Sequence, residues 1–284
     1  MLEGASDLYS IGVKKIMNCW ILFALSTITL WVVSLWRVLI SSSSIPTEPP
    51  FLSNLNSSRS GRRKRNVLLL IAHPDDESMF FAPTILYLFS KGHNIHILCI
   101  SKGDAEGKGN VRIEEIYRAS AVLKVPRQQI KIIDHPELQD GFDKPWKPHL
   151  VAAFAEEEIE KHGIDTVITF DSYGVSGHPN HQDVHRGLCA LVLGNTQKNI
   201  EAWELMSTNI IRKYLGPVDA WISSLCSVTG PSGSSYCIQN AHPLKCYQAM
   251  AEHYSQWVWF RKLFVLLSRY TYVNTLQKIS STKT

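Results

Sequence analysis

Residues 16–36 (IMNCWILFALSTITLWVVSLW) form an apolar block of 21 positions without a formal charge. About 20 such residues cross a bilayer core, and Trp20, Trp31 and Trp36 stand where interfacial aromatics are common. The run is longer than the ~7–15 residues of a signal-peptide core, and residues 41–44 offer no small-x-small cleavage site. The pattern predicts a retained transmembrane anchor over residues 16–40, after a short flank at 1–15. Residues 41–65, rich in Ser, Pro, Asn and Arg and without periodicity, read as a linker.

From residue 66 the texture becomes an alternation of apolar runs and amphipathic stretches. Strands are expected at 66–72 (NVLLLIA), 94–101 (NIHILCIS), 129–134 and 165–170 (DTVITF), with helices at 78–91, 111–123, 150–162 and 181–192. In the second helix Ile113, Ile116, Ala119 and Leu123 recur at helical spacing. Strands apolar throughout need cover on both faces. The expectation is an α/β fold with a Rossmann-like, mostly parallel sheet covered by helices, over residues 66–284. Ligands of such sheets sit beyond the carboxyl ends of the strands. Neither a Walker A sequence nor a GxGxxG turn follows the first strand, so a nucleotide site lacks its usual signature.

Composition narrows the partners. The net charge of +4 gathers in Arg59, Arg62, Arg63, Lys64 and Arg65 rather than over a folded face, which argues against nucleic acid. Lys14 and Lys15 precede the apolar block, and Arg37 with the linker cluster follows it. The heavier basic side favours the cytosol, so the folded part is expected to face it. The same cluster suits anionic lipid, at about 1 kcal/mol per basic residue near the surface. The one N-x-S/T sequon, at Asn56, lies in the linker. None of the six cysteines forms a CxxC pair. Thiols in a reducing compartment are expected, a Cys226–Cys237 bridge stays open, and a cysteine-built zinc site has no support.

Two polar clusters follow the first and fourth strands: residues 72–77 (AHPDDE) and 176–181 (SGHPNH). Alone, each has a plain reading, as a helix cap or a loop. Together they bring three imidazoles and three carboxylates to one sheet edge. A catalytic zinc needs three protein ligands and an open position. Spacing alone leaves open which residues would bind it.

These motifs resemble the LmbE-like deacetylases, whose signature is an AHPDDE-type motif and a later H-x-[DN]-H; the likeness runs from Asn66 to Leu276. The anchor, FDSYGVSGHPNH and HYSQWVWFRKLFVLLSRY are similar to the membrane-bound eukaryotic branch of that family. That branch deacetylates N-acetylglucosaminyl-phosphatidylinositol on the cytosolic face of the endoplasmic reticulum, in glycosylphosphatidylinositol anchor synthesis. The resemblance implies Zn2+, or another divalent ion, on His73, Asp76 and His181. It also implies Asp75 as general base, and His178 as the group that stabilises the oxyanion or protonates the leaving amine. Arg112 matches a position that contacts substrate, its other reading being a solvent-facing helix charge. His253 matches a position near the site, and Asp104 is expected to shape the pocket rim. Asn180 stands where some members carry Asp, and Val175-Ser176 replaces a Tyr. The implied partners are the glycolipid and the membrane.

Residues 257–270 (WVWFRKLFVLLSRY) are too short to span a bilayer and read as a core helix or an interfacial one. Two further readings compete with the glycolipid enzyme: a deacetylase of a soluble amino sugar, and a catalytically silent membrane-anchored scaffold. The presence of His73, Asp75, Asp76 and His181 weighs against the second.

Overall fold

The charge-free run lies within one long helix, α1 (Leu2–Ile40), of which Lys14–Ile40 is long and apolar enough to cross a membrane. In this computed structural model the described residues are 2–40, 64–194, 200–229 and 235–279. Nearly all of the expected linker lies outside them, as does the side chain of Cys226. The last turns of α1 touch the rest of the chain: Trp31, Leu35 and Val38 pack with Ala220, Tyr272 and Val273, and Ser34 is buried.

The first half of the domain runs β1 (Asn66–Ile71), α2 (Asp76–Met79), α3 (Ala82–Ser90), β2 (Asn94–Cys99), α4 (Gly109–Val122), β3 (Ile130–Ile132), α5 (Pro148–His162) and β4 (Thr166–Phe170). The second half runs α6 (Gly174–Gly177), α7 (Pro179–Gly194), β5 (Glu201–Leu205), α8 (Ile210–Lys213), α9 (Val218–Thr229), β6 (Ser235–Gln239), α10 (Pro243–Ala251), α11 (Trp259–Leu267) and β7 (Val273–Lys278). The sheet order is β3-β2-β1-β4-β5-β7-β6. β1 to β5 pair in parallel, and β7 and β6 close one edge antiparallel. Mostly parallel describes it well.

The strand order reverses between β1 and β4, which lie side by side. Outside their carboxyl ends is the crevice where doubly wound sheets place ligands. Val67, Leu68, Leu70, Ile71, Val167 and Ile168 are fully buried, so the centre of the sheet is apolar on both faces and only its edge is polar.

Three details differ from expectation. The helix expected at 78–91 is two helices, because Pro83 has no N–H to offer Met79 four residues back and its ring crowds that carbonyl. Strands β5, β6 and β7 lack the continuous apolar run of the central strands and fall outside the strands expected from the sequence. Of residues 257–270, only α11 is α-helical.

Candidate active site and metal centre

The turn after β1 is built on a strained residue. Asp75 has φ 142°, unusual for a side-chain-bearing residue. Its side chain does not cap α2. Instead, Asp76 Oδ2 accepts the backbone N–H groups of Ala72 (3.1 Å) and His73 (2.8 Å), which orients that carboxylate toward the sheet edge. Glu77 turns inward, where Oε2 accepts the Asp75 N–H at 3.1 Å and Oε1 lies 2.6 Å from His253 Nε2. Both Glu77 and His253 are fully buried. His253 therefore supports the turn from beneath rather than lining the site.

The second cluster is fixed by Gly174, at φ 68°, and by Val175, a β-branched residue at φ 64°. Gly174 O receives the Nδ1–H of His181 at 3.0 Å. The His181 ring also stacks on Phe170, 4.1 Å between centroids and 1° from parallel. With its proton on Nδ1, His181 presents a lone pair at Nε2. That atom lies 3.2 Å from Asp76 Oδ1. This nitrogen and the carboxylate oxygen are both ligand atoms suited to a cation placed between them.

His73 completes the set. Its Nε2 lies 3.0 Å from Asp140 Oδ1 and 3.1 Å from Asn180 Oδ1, which places the proton there and leaves Nδ1 turned toward Asp76 Oδ2 at 3.9 Å. An imidazole whose other nitrogen donates to a carboxylate or a carbonyl is the usual form of a metal-binding histidine. Ligand atoms of His73, His178 and His181 all lie within 4.8 Å of one another. His73, Asp76 and His181 thus fit a divalent ion by donor chemistry and by orientation, with His178 alongside.

Asp75 stands beside this group in a cationic clamp. Arg112 Nη2 donates to Asp75 Oδ2 at 3.2 Å, and Arg261, from α11, donates to the same oxygen. Burial pushes the carboxyl up, but Arg261 and Arg112 more than reverse it, and Asp75 falls well below the ordinary carboxylate range. Arg112 also donates to Gly103 O (2.9 Å) and Pro74 O (2.8 Å) and is buried, so it is not a solvent-facing helix charge. Burial and the nearby His73 and His181 push His178 down to about 4. Its Nδ1 accepts the Asn180 N–H at 3.3 Å, so the neutral ring carries its proton on Nε2. Phe142 lies over His178 at 4.6 Å.

All six expected site residues, His73, Asp75, Asp76, Arg112, His178 and His181, come together at the switch point. Asp104 tightens the start of α4, accepting the Gly109 N–H at 2.6 Å. Sequence reasoning missed Asp140 and Arg261. Asp140 sits in an irregular loop with no periodicity to mark it. Arg261 was visible as a charge inside an aromatic run, but its target lies 186 residues away.

The fold is that of known deacetylases. A deacetylase of the teicoplanin biosynthetic pathway superposes with a TM-score of 0.54 at 15% identity, over 77% of this chain and all of that one. Sequence is more specific. The chain belongs to the GlcNAc-PI de-N-acetylase family, whose pattern matches residues 68–192. A Schizosaccharomyces pombe relative named "Probable N-acetylglucosaminyl-phosphatidylinositol de-N-acetylase" is 36% identical over 243 residues, 84% of this chain and 97% of its own. The Bos taurus N-acetylglucosaminyl-phosphatidylinositol de-N-acetylase is 37% identical over 210 residues, 74% of this chain and 81% of its own.

Proposed function

We propose that the chain hydrolyses the acetamide of N-acetylglucosaminyl-phosphatidylinositol, releasing acetate and leaving the free amine of the glucosaminyl lipid. This is the second step of glycosylphosphatidylinositol anchor synthesis. The observation that carries the reading is the kinship over nearly the full length of relatives bearing that name. The clustered imidazoles and carboxylates at the switch point supply matching chemistry.

His73, Asp76 and His181 would hold the metal, and nitrogen–oxygen donors of this kind suit Zn2+. When bound, it supplies a Lewis acid for the acetyl carbonyl and lowers the pKa of water to about 7. Asp75 is the proton acceptor. Both arginines bind its Oδ2, so Oδ1 is the oxygen that takes the proton of the attacking water. His178 donates from Nε2 to the oxyanion that develops on the carbonyl oxygen. Being neutral, it is a weak acid. Asp75 therefore returns its proton to the amine nitrogen as the carbon–nitrogen bond breaks. Arg112 holds Asp75 and fixes the floor of the site rather than reaching freely for substrate.

The span of α1 would anchor the protein in the endoplasmic reticulum membrane, with the basic flank after it placing the domain in the cytosol. The test is acetate release by the full-length protein from N-acetylglucosaminyl-phosphatidylinositol and from water-soluble N-acetylglucosaminyl-inositol, with chelator and then with added zinc. Zinc-restorable release from the lipid is expected. Release from the soluble sugar alone would move the assignment to a soluble substrate. No release from either, by folded and metal-loaded protein, would make the chain a silent scaffold.

A further inference from the structure

The aromatic stretch near the carboxyl end is absorbed only in part by the site. Helix α11 points Arg261 inward to Asp75 and Val265 into the core. Its other face carries Trp259, Phe260, Leu263, Leu266 and Leu267, all exposed, with Trp259 at 72%. Five large apolar side chains uncovered on a nine-residue helix form the kind of patch that marks an interaction surface. Beside it, α8 exposes Ile210 and Ile211, and Tyr214 just beyond α8 meets Phe264 at 6.1 Å.

The length of α1 says what covers this face. Below the packed turns, residues 16–30 project freely, about 22 Å of helix at 1.5 Å per residue. A bilayer core is about 30 Å thick. The span can reach across only if its hydrocarbon portion continues into the turns of Trp31 and Leu35, and these are packed against the domain. The adjoining domain surface must then lie at membrane depth.

Contacts place α11 there. The Trp31 ring meets Tyr272 edge-on at 6.4 Å, and the Tyr272 hydroxyl donates to Leu266 O at 2.8 Å. A Cβ built on Gly216 would come within 2.9 Å of Trp31 Nε1 and 3.3 Å of Leu267 O, so helix end and span nearly touch. Arg37, the first charge after the span, lies over Trp221 at 4.7 Å and marks the headgroup level. Trp31 is six residues earlier, about 9 Å deeper along the helix. Interfacial helices bury their apolar faces about 5–10 Å.

We propose that the outer face of α11, with Ile210 and Ile211 of α8, is embedded in the phospholipid interface beside α1. The chain then meets the bilayer at two places, and the helix that carries Arg261 to Asp75 holds the mouth of the site at headgroup height. This surface stands on the span and not on the proposed reaction, so its first readout is independent of activity.

The experiment reconstitutes the full-length protein in phosphatidylcholine vesicles containing a lipid with a photoactivatable acyl chain, and maps crosslinked peptides by mass spectrometry. Lipid adducts on α1, on α11 at Trp259, Phe260 or Leu263, and on α8 are expected. Adducts confined to α1 would overturn the proposal, as would protein–protein crosslinks joining α11 of two copies. A Trp259→Gln/Leu263→Gln variant changes only exposed side chains. It should lose the α11 adducts and raise KM for vesicle-borne glycolipid about tenfold, leaving kcat/KM for water-soluble N-acetylglucosaminyl-inositol unchanged. An equal loss on both substrates would also overturn it, since that would mark α11 as part of the site alone.

Discussion

Gly174→Ala, compared with Gly107→Ala, tests how closely His181, a proposed metal ligand, is held. Both glycines have nearly the same backbone, φ 68° at Gly174 and φ 69° at Gly107. An alanine in either place meets the left-handed penalty, roughly 1–2 kcal/mol. Around Gly107 a Cβ would meet nothing within 4 Å. At Gly174 it would lie 2.6 Å from His181 Cβ and 3.3 Å from the Gln182 nitrogen, in the first turns of α7. Ordinary contact begins near 3.4 Å, so that turn must recede by several tenths of an ångström. Overpacking of this kind adds roughly 1–3 kcal/mol. With about 2–4 °C of Tm per kcal/mol for a domain of this size, Gly174→Ala should melt roughly 4–20 °C lower and Gly107→Ala roughly 2–8 °C lower. The clash also pulls His181 Nδ1 from Gly174 O, and loss of such an outer hydrogen bond typically weakens metal binding about 10–100-fold. Thermal melts of both variants, with zinc affinity measured by chelator competition, form the assay. Equal melting losses and wild-type zinc affinity in Gly174→Ala would refute the argument.

Other consequences are as direct. Asp75→Asn keeps the shape of the turn but removes the proposed proton acceptor. Acetate release should fall by about 10²–10⁴-fold, while bound zinc, measured by elemental analysis, stays stoichiometric because Asp75 is not in the proposed ligand set. His253→Ala removes the buried partner of Glu77 Oε1, and breaking such a pair costs about 3–5 kcal/mol; urea unfolding within about 1 kcal/mol of wild type would contradict this. For pH, burial depresses His96 and His185, and burial with neighbouring imidazoles takes His178 to about 4, while the acids around His73 raise it. Between pH 7 and 5 the unfolded chain therefore takes up protons at His96, His178 and His185 that the folded chain does not, while the raised His73 works in the opposite sense mainly above the unfolded value near 6.5. Metal-stripped protein should lose stability as pH falls from 7 to 5, and a rise in its urea midpoint over that range would contradict the assignment.

Much of the site was legible because its chemistry is local. In the stretch His73 to Glu77, one turn after a buried strand carries two of the proposed ligands and the proposed acceptor, and residues 176–181, across the junction of α6 and α7, supply the other imidazoles. Continuous apolar strands required a covered parallel sheet, and such a sheet exposes polar side chains only at its ends. The 21-residue apolar run likewise specified a long apolar helix without reference to anything else in the chain. Tertiary structure decided what depends on distant partners. It brought Asp140 to His73 and Arg261 to Asp75, and it set Glu77 against His253 beneath the turn. No periodicity records such pairings, because each joins an ordinary loop or helix position to another across the sheet edge. The inner and outer faces of α11 were decided in the same way. Its sequence is apolar nearly throughout, so composition alone could not distinguish a core helix from a surface one. Packing against Val265 and the reach of Arg261 to Asp75 chose the inner face, leaving Trp259 and Leu263 outside. The strand edge at β5, β7 and β6 also belongs to tertiary structure: β5 adds to β4 in parallel, and β7 returns antiparallel between β5 and β6, a pairing that these short segments without a continuous apolar run do not announce.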